Sequence, residues 1–321
     1  MKVIVFGDKL FSVDMAWGFE ELGHMVVNAW PKTIQELDVL LTEENPDLLI
    51  TLGSPAYFNS ELLRHLGDRT QTKMKCVHWD TDGITWKDIE TKHMNLLKPD
   101  MVFTVCPEML ELLRNRGIPS EILFYAFSPI MHRPEPIDVE NTGQIAFAGS
   151  AYPNVISRFP DHYRRRSMDV LFKPLLDGGY RIDFYGDNRH QQVIKKLYDF
   201  DVPASWLHGR CPYEKTGRIY SGYSINLVTQ NNENSLTKRV FEILGSGGFA
   251  LSYENSAVRK LFTPGKDLVV SAAPKQTPEL VGYYANHPEE YKSIRENALL
   301  SAQNHTYKQR AKYILSKLEP V

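Results

Sequence analysis

Cysteine is scarce in this chain. Cys76, Cys106 and Cys211 are spread over 321 residues with no C-x-x-C pair and no zinc-type spacing. That excludes a disulfide framework and a thiolate metal knuckle, and it predicts reduced thiols. Long apolar runs are missing as well. Nothing approaches the roughly 20 residues of a membrane span, and the apolar run in the opening MKVIVFGDK is too short for a signal-peptide core. An intracellular protein without a membrane span is expected. Charge of one sign is also absent: 37 basic side chains stand against 39 acidic ones, a net charge of −2. No overall field therefore draws the chain to nucleic acid or to an anionic membrane, and an anionic ligand must be gripped locally. The histidines at 24, 65, 93, 132, 162, 190, 287 and 305 lack the paired spacing of a ligand set, so no metal site is expected.

What is present is an ordinary globular composition, 42% hydrophobic, 11% aromatic and 24% charged, over a length that suits two domains. Short β-rich apolar runs alternate with helical patterns. In the first half the runs are Val3 to Phe6, Leu48 to Thr51, Cys76 to Trp79 and Met101 to Val105, and the alternation predicts βαβ units and a parallel sheet. Between them, Met15 to Leu22 runs into Gly23, and Ile34 to Leu41 and Met109 to Leu113 carry apolar residues at helical spacing. After Phe124 the pattern lapses into YAFSPIMHRPEPIDVENTG and restarts at QIAFAG, which places a boundary at 135/136. Ile145 to Ala148, Ile182 to Tyr185, Ser224 to Val228, Phe249 to Ser252 and Leu268 to Val270 then repeat the alternation. Two doubly wound α/β domains follow, and such sheets bind ligands beyond the carboxyl ends of their strands.

Candidate residues stand just after those strands. Gly149-Ser150 closes the first strand of the second half, where a glycine lets backbone approach a phosphate and a serine hydroxyl can donate to it; the same pair also makes an ordinary turn. Gly186 with Asp187 repeats that theme. The run Arg164 to Arg166 suits a solvated helix start or a phosphate clamp. In NENSLTKRVFEILGSGG, Asn234 or Ser235 is the expected N-cap, Leu236, Val240, Ile243 and Leu244 form one apolar face, and the glycines stop the helix. Lys238 and Arg239 lie four and three residues before Glu242, the spacing of surface ion pairs. Helix direction offers a second reading: amides of residues 235 to 237 and Arg239 meet a diphosphate, and Glu242 accepts from a ribose diol. In the first half, CVHWDTDG gathers His78, Asp80 and Asp82 after a strand, as acid, base or electrostatic groups or as a strand-end Asx-turn. Asp14 suits a helix N-cap or first turn, or catalysis.

The segments NENSLTKRVFEILGSGGFALS, FTPGKDLVV, NHPEEYKSIRENA and NHTYKQRAKYIL resemble, in order, the C-terminal half of a GT-B glycosyltransferase. More narrowly, they resemble the CgeB and YkvP group of spore-maturation glycosyltransferases. The first half resembles it more loosely, through the fold pattern and CVHWDTDG. The resemblance implies two Rossmann-like domains facing a cleft: 1–135 on the acceptor side, 136–304 for the donor, and 305–321 as a last helix returning to the first domain. It implies a metal-independent transferase with a UDP-sugar as donor, no permanently bound cofactor, and a glycan or glycoprotein as acceptor. A spore coat protein is an implied partner, and the implied location is the mother-cell cytoplasm or the spore surface. On the donor side the resemblance gives Glu242 the ribose and Arg239 with Asn234, Ser235, Leu236 and Thr237 the diphosphate. Gly149, Ser150 and Gly186 form the facing loops, and His208 and Tyr213 of HGRCPY pack on the base. Across from them His78 contacts the sugar, Asp80 is the base and Asp14 a second candidate. Two rival readings share the pattern: a non-catalytic spore-layer or sensor protein, and a nucleotide-sugar epimerase.

Overall fold

A computed structural model describes residues 1–53, 59–68, 73–135 and 145–318. The chain forms two compact units, one of residues 1–125 with 306–321 and one of residues 126–305. The first crossover thus falls ten residues before the expected boundary at 135/136, whose downstream side, 136–144, lies outside the described residues.

Six parallel strands build the first unit: β1 (Lys2–Gly7), β2 (Met25–Ala29), β3 (Leu48–Leu52), β4 (Lys75–Asp80), β5 (Met101–Thr104) and β6 (Ser120–Ile122). Their order is β2-β1-β3-β4-β5-β6, so the winding reverses between β1 and β3. β3 is buried along its whole length, which is why, Thr51 apart, it reads as a continuous apolar run and not as an alternating one. Half-exposed β2 and three-residue β6 carry no such run and are not among the expected strands. At the reversal the backbones nearly touch: a Cβ on Gly7 would stand 1.9 Å from the Leu52 carbonyl oxygen. The helix that follows, Lys9–Glu20, is capped by Asp8, whose Oδ1 accepts from the Leu10 amide at 2.9 Å.

That helix starts six residues earlier than the apolar pattern suggested, so Asp14 is neither its cap nor in its first turn. Asp14 lies buried in the helix interior. Helix Tyr307–Leu318 packs on it within the same unit, where Gly18 leaves room for the Tyr307 carbonyl. Arg310 fastens this helix by donating to the carbonyls of Phe124 and Tyr125 at 2.7 and 2.8 Å.

The second unit holds β7 (Ile145–Ala148), β8 (Ile182–Tyr185), β9 (Leu207–Gly209), β10 (Ile225–Val228), β11 (Ala250–Tyr253) and β12 (Val269–Ser271). All pairings are parallel in the order β12-β11-β10-β7-β8-β9, with the reversal between β10 and β7. Phe147, Phe172 and Phe184 meet edge to face in its core, beside Leu171, Ile182, Ile194, Leu227 and Leu251. Residues 126–135 belong here because Phe127 fills the space that a Cβ on Gly245 would take, and its amide donates to the His305 carbonyl at 3.0 Å.

Candidate functional site

Each unit carries polar groups at its strand ends, with different chemistry. In the first unit Asp80 ends β4 and is 1% exposed. Its Oδ1 accepts from the amides of Asp82 and Gly83, both at 3.0 Å, and its Oδ2 accepts from Thr104 Oγ1 at 2.6 Å. This is an Asx-turn that also ties β4 to β5, so the strand-end turn expected of Asp82 is made by Asp80. Burial raises the Asp80 carboxyl above its ordinary pKa, and the bonds from Thr104, Gly83 and Asp82 oppose that rise.

His78, two residues back on β4, is also buried, with Nδ1 2.9 Å from Thr51 Oγ1 and Nε2 3.5 Å from Glu90 Oε2. Burial pushes His78 down to about 3 and Glu90 up to about 10, the latter helped by the nearby carboxylates of Asp80 and Asp82. Both are therefore neutral at pH 7, a buried pair without charge. Glu90 sits in helix Lys87–Leu97, and no motif pointed to it. Neither His78 nor Asp80 presents a side chain at the surface of this unit, and a general base must come within hydrogen-bond reach of the proton it takes.

In the second unit the loops after β7 and β10 converge at the reversal of strand order, where open α/β sheets place their ligands. Arg239 comes from helix Lys238–Gly245, which follows β10. Its guanidinium lies on Gly149: a Cβ there would stand 2.3 Å from Arg239 Nη2. The same guanidinium sits 5.2 Å from the centroid of Phe147, and its Nη1 is buried without a hydrogen-bond partner. Gly149 thus serves by leaving space for a cation, while its own amide donates to the Tyr185 carbonyl at 2.7 Å. Gly186, at φ +152°, makes a second close approach, since a Cβ would stand 2.0 Å from the Gly149 carbonyl oxygen. That carbonyl lies 2.8 Å from His190 Nε2, and burial brings His190 down to about 4, so the ring is neutral and Nε2 carries the donated proton.

Ser150 does not offer its proton outward. Its hydroxyl donates to Asp187 Oδ2 at 2.8 Å, and its carbonyl accepts from Arg164 Nη2 at 2.5 Å. Burial works against the Asp187 charge, yet hydrogen bonds from Arg189, Ser150 and Ala151 hold this carboxyl well below its ordinary range.

The helix start differs from expectation. Its N-cap is Thr237, not Asn234 or Ser235, and the Thr237 amide already donates to Gln230 Oε1 at 2.9 Å. Ser235 is held instead through its carbonyl by Asn255 Nδ2 at 2.8 Å, and Asn234 Oδ1 accepts from Ser256 at 2.5 Å. Leu236 is buried. Residues 234 to 237 are thus a non-helical lead-in held by side-chain amides and a serine hydroxyl, and the positive end of the helix dipole begins at Lys238 and Arg239.

Glu242 is 5% exposed and fully engaged. Oε1 accepts from Tyr213 OH at 3.0 Å and Oε2 from Tyr220 OH at 3.2 Å, while Lys238 Nζ stands 3.4 Å from Oε1 and donates to Tyr213 OH at 2.6 Å. His132 Nε2 is 4.0 Å from Oε1. Burial would raise this carboxyl, but Lys238, His132, Arg239 and the Tyr213 bond keep it below its ordinary value. Its first role here is to anchor the helix that aims Arg239. The Tyr213 hydroxyl thus belongs to this network, while its ring stays half-buried. His208 is stacked on Tyr185, centroids 4.6 Å apart, with Nε2 3.0 Å from Asp183 Oδ1 and its side chain 32% exposed.

Arg164, read as part of either a solvated helix start or a phosphate clamp, is 2% exposed beside these loops and so is not a solvated side chain. Among the described residues no group of three or more His, Cys, Asp or Glu is placed to hold a metal ion, and no helix is long and apolar enough to cross a membrane. The three cysteines are free thiols.

Residues 164–316 match a family described as glycosyl transferase-like. No curated protein matches the chain. Among solved structures, sucrose-phosphate synthase from Thermosynechococcus elongatus is 10% identical with a TM-score of 0.67, covering 98% of each chain. Anabaena HepE in complex with UDP-glucose is 11% identical with a TM-score of 0.67, covering 98% of this chain and all of its own. The fold is that of the GT-B glycosyltransferases. A glycosyltransferase from Rickettsia africae is similar as well, 12% identical with a TM-score of 0.61 over 98% of this chain and 97% of its own. On this GT-B scaffold the second unit gathers Arg239, Gly149 and Gly186 at one strand reversal, with Glu242 anchoring the helix behind them. Asp14, His78 and Asp80 belong to the other unit.

Proposed function

We propose that this protein is a glycosyltransferase that moves a sugar from a nucleoside-diphosphate donor, foremost a UDP-sugar, to a hydroxyl acceptor, without a metal ion. One observation carries the reading: the Arg239 guanidinium lies against Gly149 at the β7/β10 reversal with Nη1 buried and unbonded. A buried donor left without a partner costs about 1–3 kcal/mol, and a phosphate oxygen would satisfy it. The start of helix Lys238–Gly245 adds favourable dipole charge for the same anion. The structure of HepE with UDP-glucose, on a similar scaffold, favours a uridine nucleotide. Cationic side chains in place of a metal are consistent with the charge already gathered there. On this reading the base packs near His208, and Glu242 orients Arg239 or, by releasing one tyrosine, meets the ribose.

The narrower assignment, to the CgeB and YkvP group with work on spore-surface glycans from the mother-cell cytoplasm, is part of the proposal and rests on the ordered C-terminal segments. Calorimetric titration with UDP, UDP-glucose, GDP and UMP, in EDTA and again in magnesium, tests the core reading. Selective diphosphate binding that is indifferent to EDTA is expected. No binding of any nucleotide would sink the donor site and leave a non-catalytic protein as the better account.

A further inference from the structure

A second guanidinium stands behind the first, and the reading above does not use it. Arg164 begins the turn of helix Tyr163–Leu171 nearest the β7 loop and is 2% exposed. Its Nη2 donates to the Ser150 carbonyl at 2.5 Å and its Nη1 to Asn231 Oδ1 at 2.9 Å. One side chain therefore ties the loop after β7 to the loop after β10, across the strand reversal. Its Nε is buried and has no hydrogen-bond partner. The group lies 5.8 Å from the centroid of Phe147, the ring that also carries Arg239 at 5.2 Å, and 4.5 Å from the centroid of Tyr152.

Two like charges on one phenyl ring, one of them fully buried and the other half-buried, are costly unless something opposes them. The carboxylates at hand are committed elsewhere. Asp187 takes both donors of Arg189, and Glu242 is bonded to Tyr213 and Tyr220 with Lys238 alongside. Burial and the neighbouring Arg239 charge both pull the Arg164 pKa down, to about 10, against the partial help of Tyr152 and Asp187. The protein holds more positive charge at this reversal than its own acids neutralise.

Resting on the donor-site reading, we propose that Arg164 is a positioning residue for a diphosphate: it fixes the Ser150 loop and supplies, from below, a second positive charge that favours the more highly charged diphosphate over a monophosphate, which itself carries up to about two negative charges. Arg239 touches the ligand and Arg164 acts through the loop and through its field, which a dry surrounding screens weakly. A mere structural brace would hold the loops without setting that preference.

The test is the ratio of UDP to UMP affinity, with inorganic pyrophosphate and orthophosphate as base-free probes, in the wild type, Arg164→Gln and Arg164→Lys. Arg164→Gln is expected to weaken UDP and pyrophosphate by about tenfold or more, as for removal of a weakly screened positive charge, and UMP and orthophosphate by less than about threefold. Arg164→Lys, which keeps the charge and loses the fork, is expected to restore most of the ratio. Equal losses for all four probes, or no loss, would overturn the assignment while leaving the donor site standing. Failure of the wild type to bind UDP or pyrophosphate would overturn both. Should Arg164→Gln not fold, Arg164→Lys decides, because a ratio that collapses with the charge retained excludes a role for that charge.

Discussion

Two sheets wound alike end in opposite chemistry. At the β4 end of the first unit, His78 and Glu90 are buried as a neutral pair and the Asp80 carboxylate is closed by three donors. At the β7/β10 reversal of the second, cations predominate and two of their N–H groups are buried without partners, Arg164 Nε and Arg239 Nη1. The difference shows how a strand end advertises a ligand. Both ends bury polar atoms without a hydrogen-bond partner, the Glu90 carboxyl oxygens in the first unit and the two guanidinium N–H groups in the second; what differs is charge, because the first end holds its groups neutral or capped, whereas leftover cationic donors at a strand reversal suit an anion from outside.

Glu242 offers the strongest way to break that contrast, because it makes the second unit partly self-satisfied too. Glu242→Ala strands Lys238, Tyr213 and Tyr220, and removing one partner of a buried ion pair costs about 3–5 kcal/mol. A loss of that size in denaturant unfolding is expected, together with weaker UDP binding. A variant of wild-type stability with UDP affinity alone reduced would instead make Glu242 chiefly a ligand group. Arg239→Ala should do the reverse. Among the described residues its guanidinium forms no ion pair with a carboxylate, and its loss removes only its through-space support of Glu242 and its contact with Tyr220, so a stability loss of only about 1 kcal/mol is expected, while UDP affinity falls about 100-fold, about 2.7 kcal/mol. Calorimetry checks it, and unchanged affinity would remove the central support for the donor site.

Much of this was legible in the residues. Alternating apolar runs gave both parallel sheets, and the R-x-x-E helix with the glycine-ended strand β7 fell at the end of the second sheet where its strand order reverses. Three kinds of feature were not. Strands β2, β6 and β9 are short or half-exposed and lack a continuous apolar run. The start of helix Lys238–Gly245 was placed too early because Asn234 and Ser235 are good cap types, yet Gln230 and Asn255 hold that stretch non-helical through bonds that no local pattern reveals. Glu90 was missed, and Arg164 was left between a solvated helix start and a phosphate clamp, because a charged residue reads as surface and its burial depends on partners distant in sequence.

Asp80 sharpens the comparison from the other side. If its oxygens serve the turn, Asp80→Asn puts an amide where Thr104 and two backbone amides all donate. A stability loss of about 1–3 kcal/mol is expected from the mismatched donor, with UDP affinity unchanged. Once an acceptor is known, turnover settles the rest. A fall of several orders of magnitude in a variant that is otherwise stable would restore Asp80 as the base, and near-normal turnover would remove it.

The neutral pair beside it predicts a pH dependence of its own. Glu90 is raised from its ordinary 4.5 to about 10, by burial first and then by Asp80 and Asp82, so between those values the folded chain holds a proton the unfolded chain has lost. Stability from this group therefore falls as pH rises through that window. His78, lowered by burial from 6.5 to about 3, acts oppositely: stability falls as pH drops below 6.5. Above 6.5 only Glu90 contributes, and the slope reaches at most about 1.4 kcal/mol per pH unit. Denaturant midpoints at pH 7, 8 and 9 should decline in the wild type and flatten in Glu90→Gln, which keeps a neutral side chain at every pH. Parallel declines in the two proteins would mean that Glu90 is ionised in the folded chain. The strand end of the first unit would then be charged, and the contrast with the cationic site of the second would lose its basis.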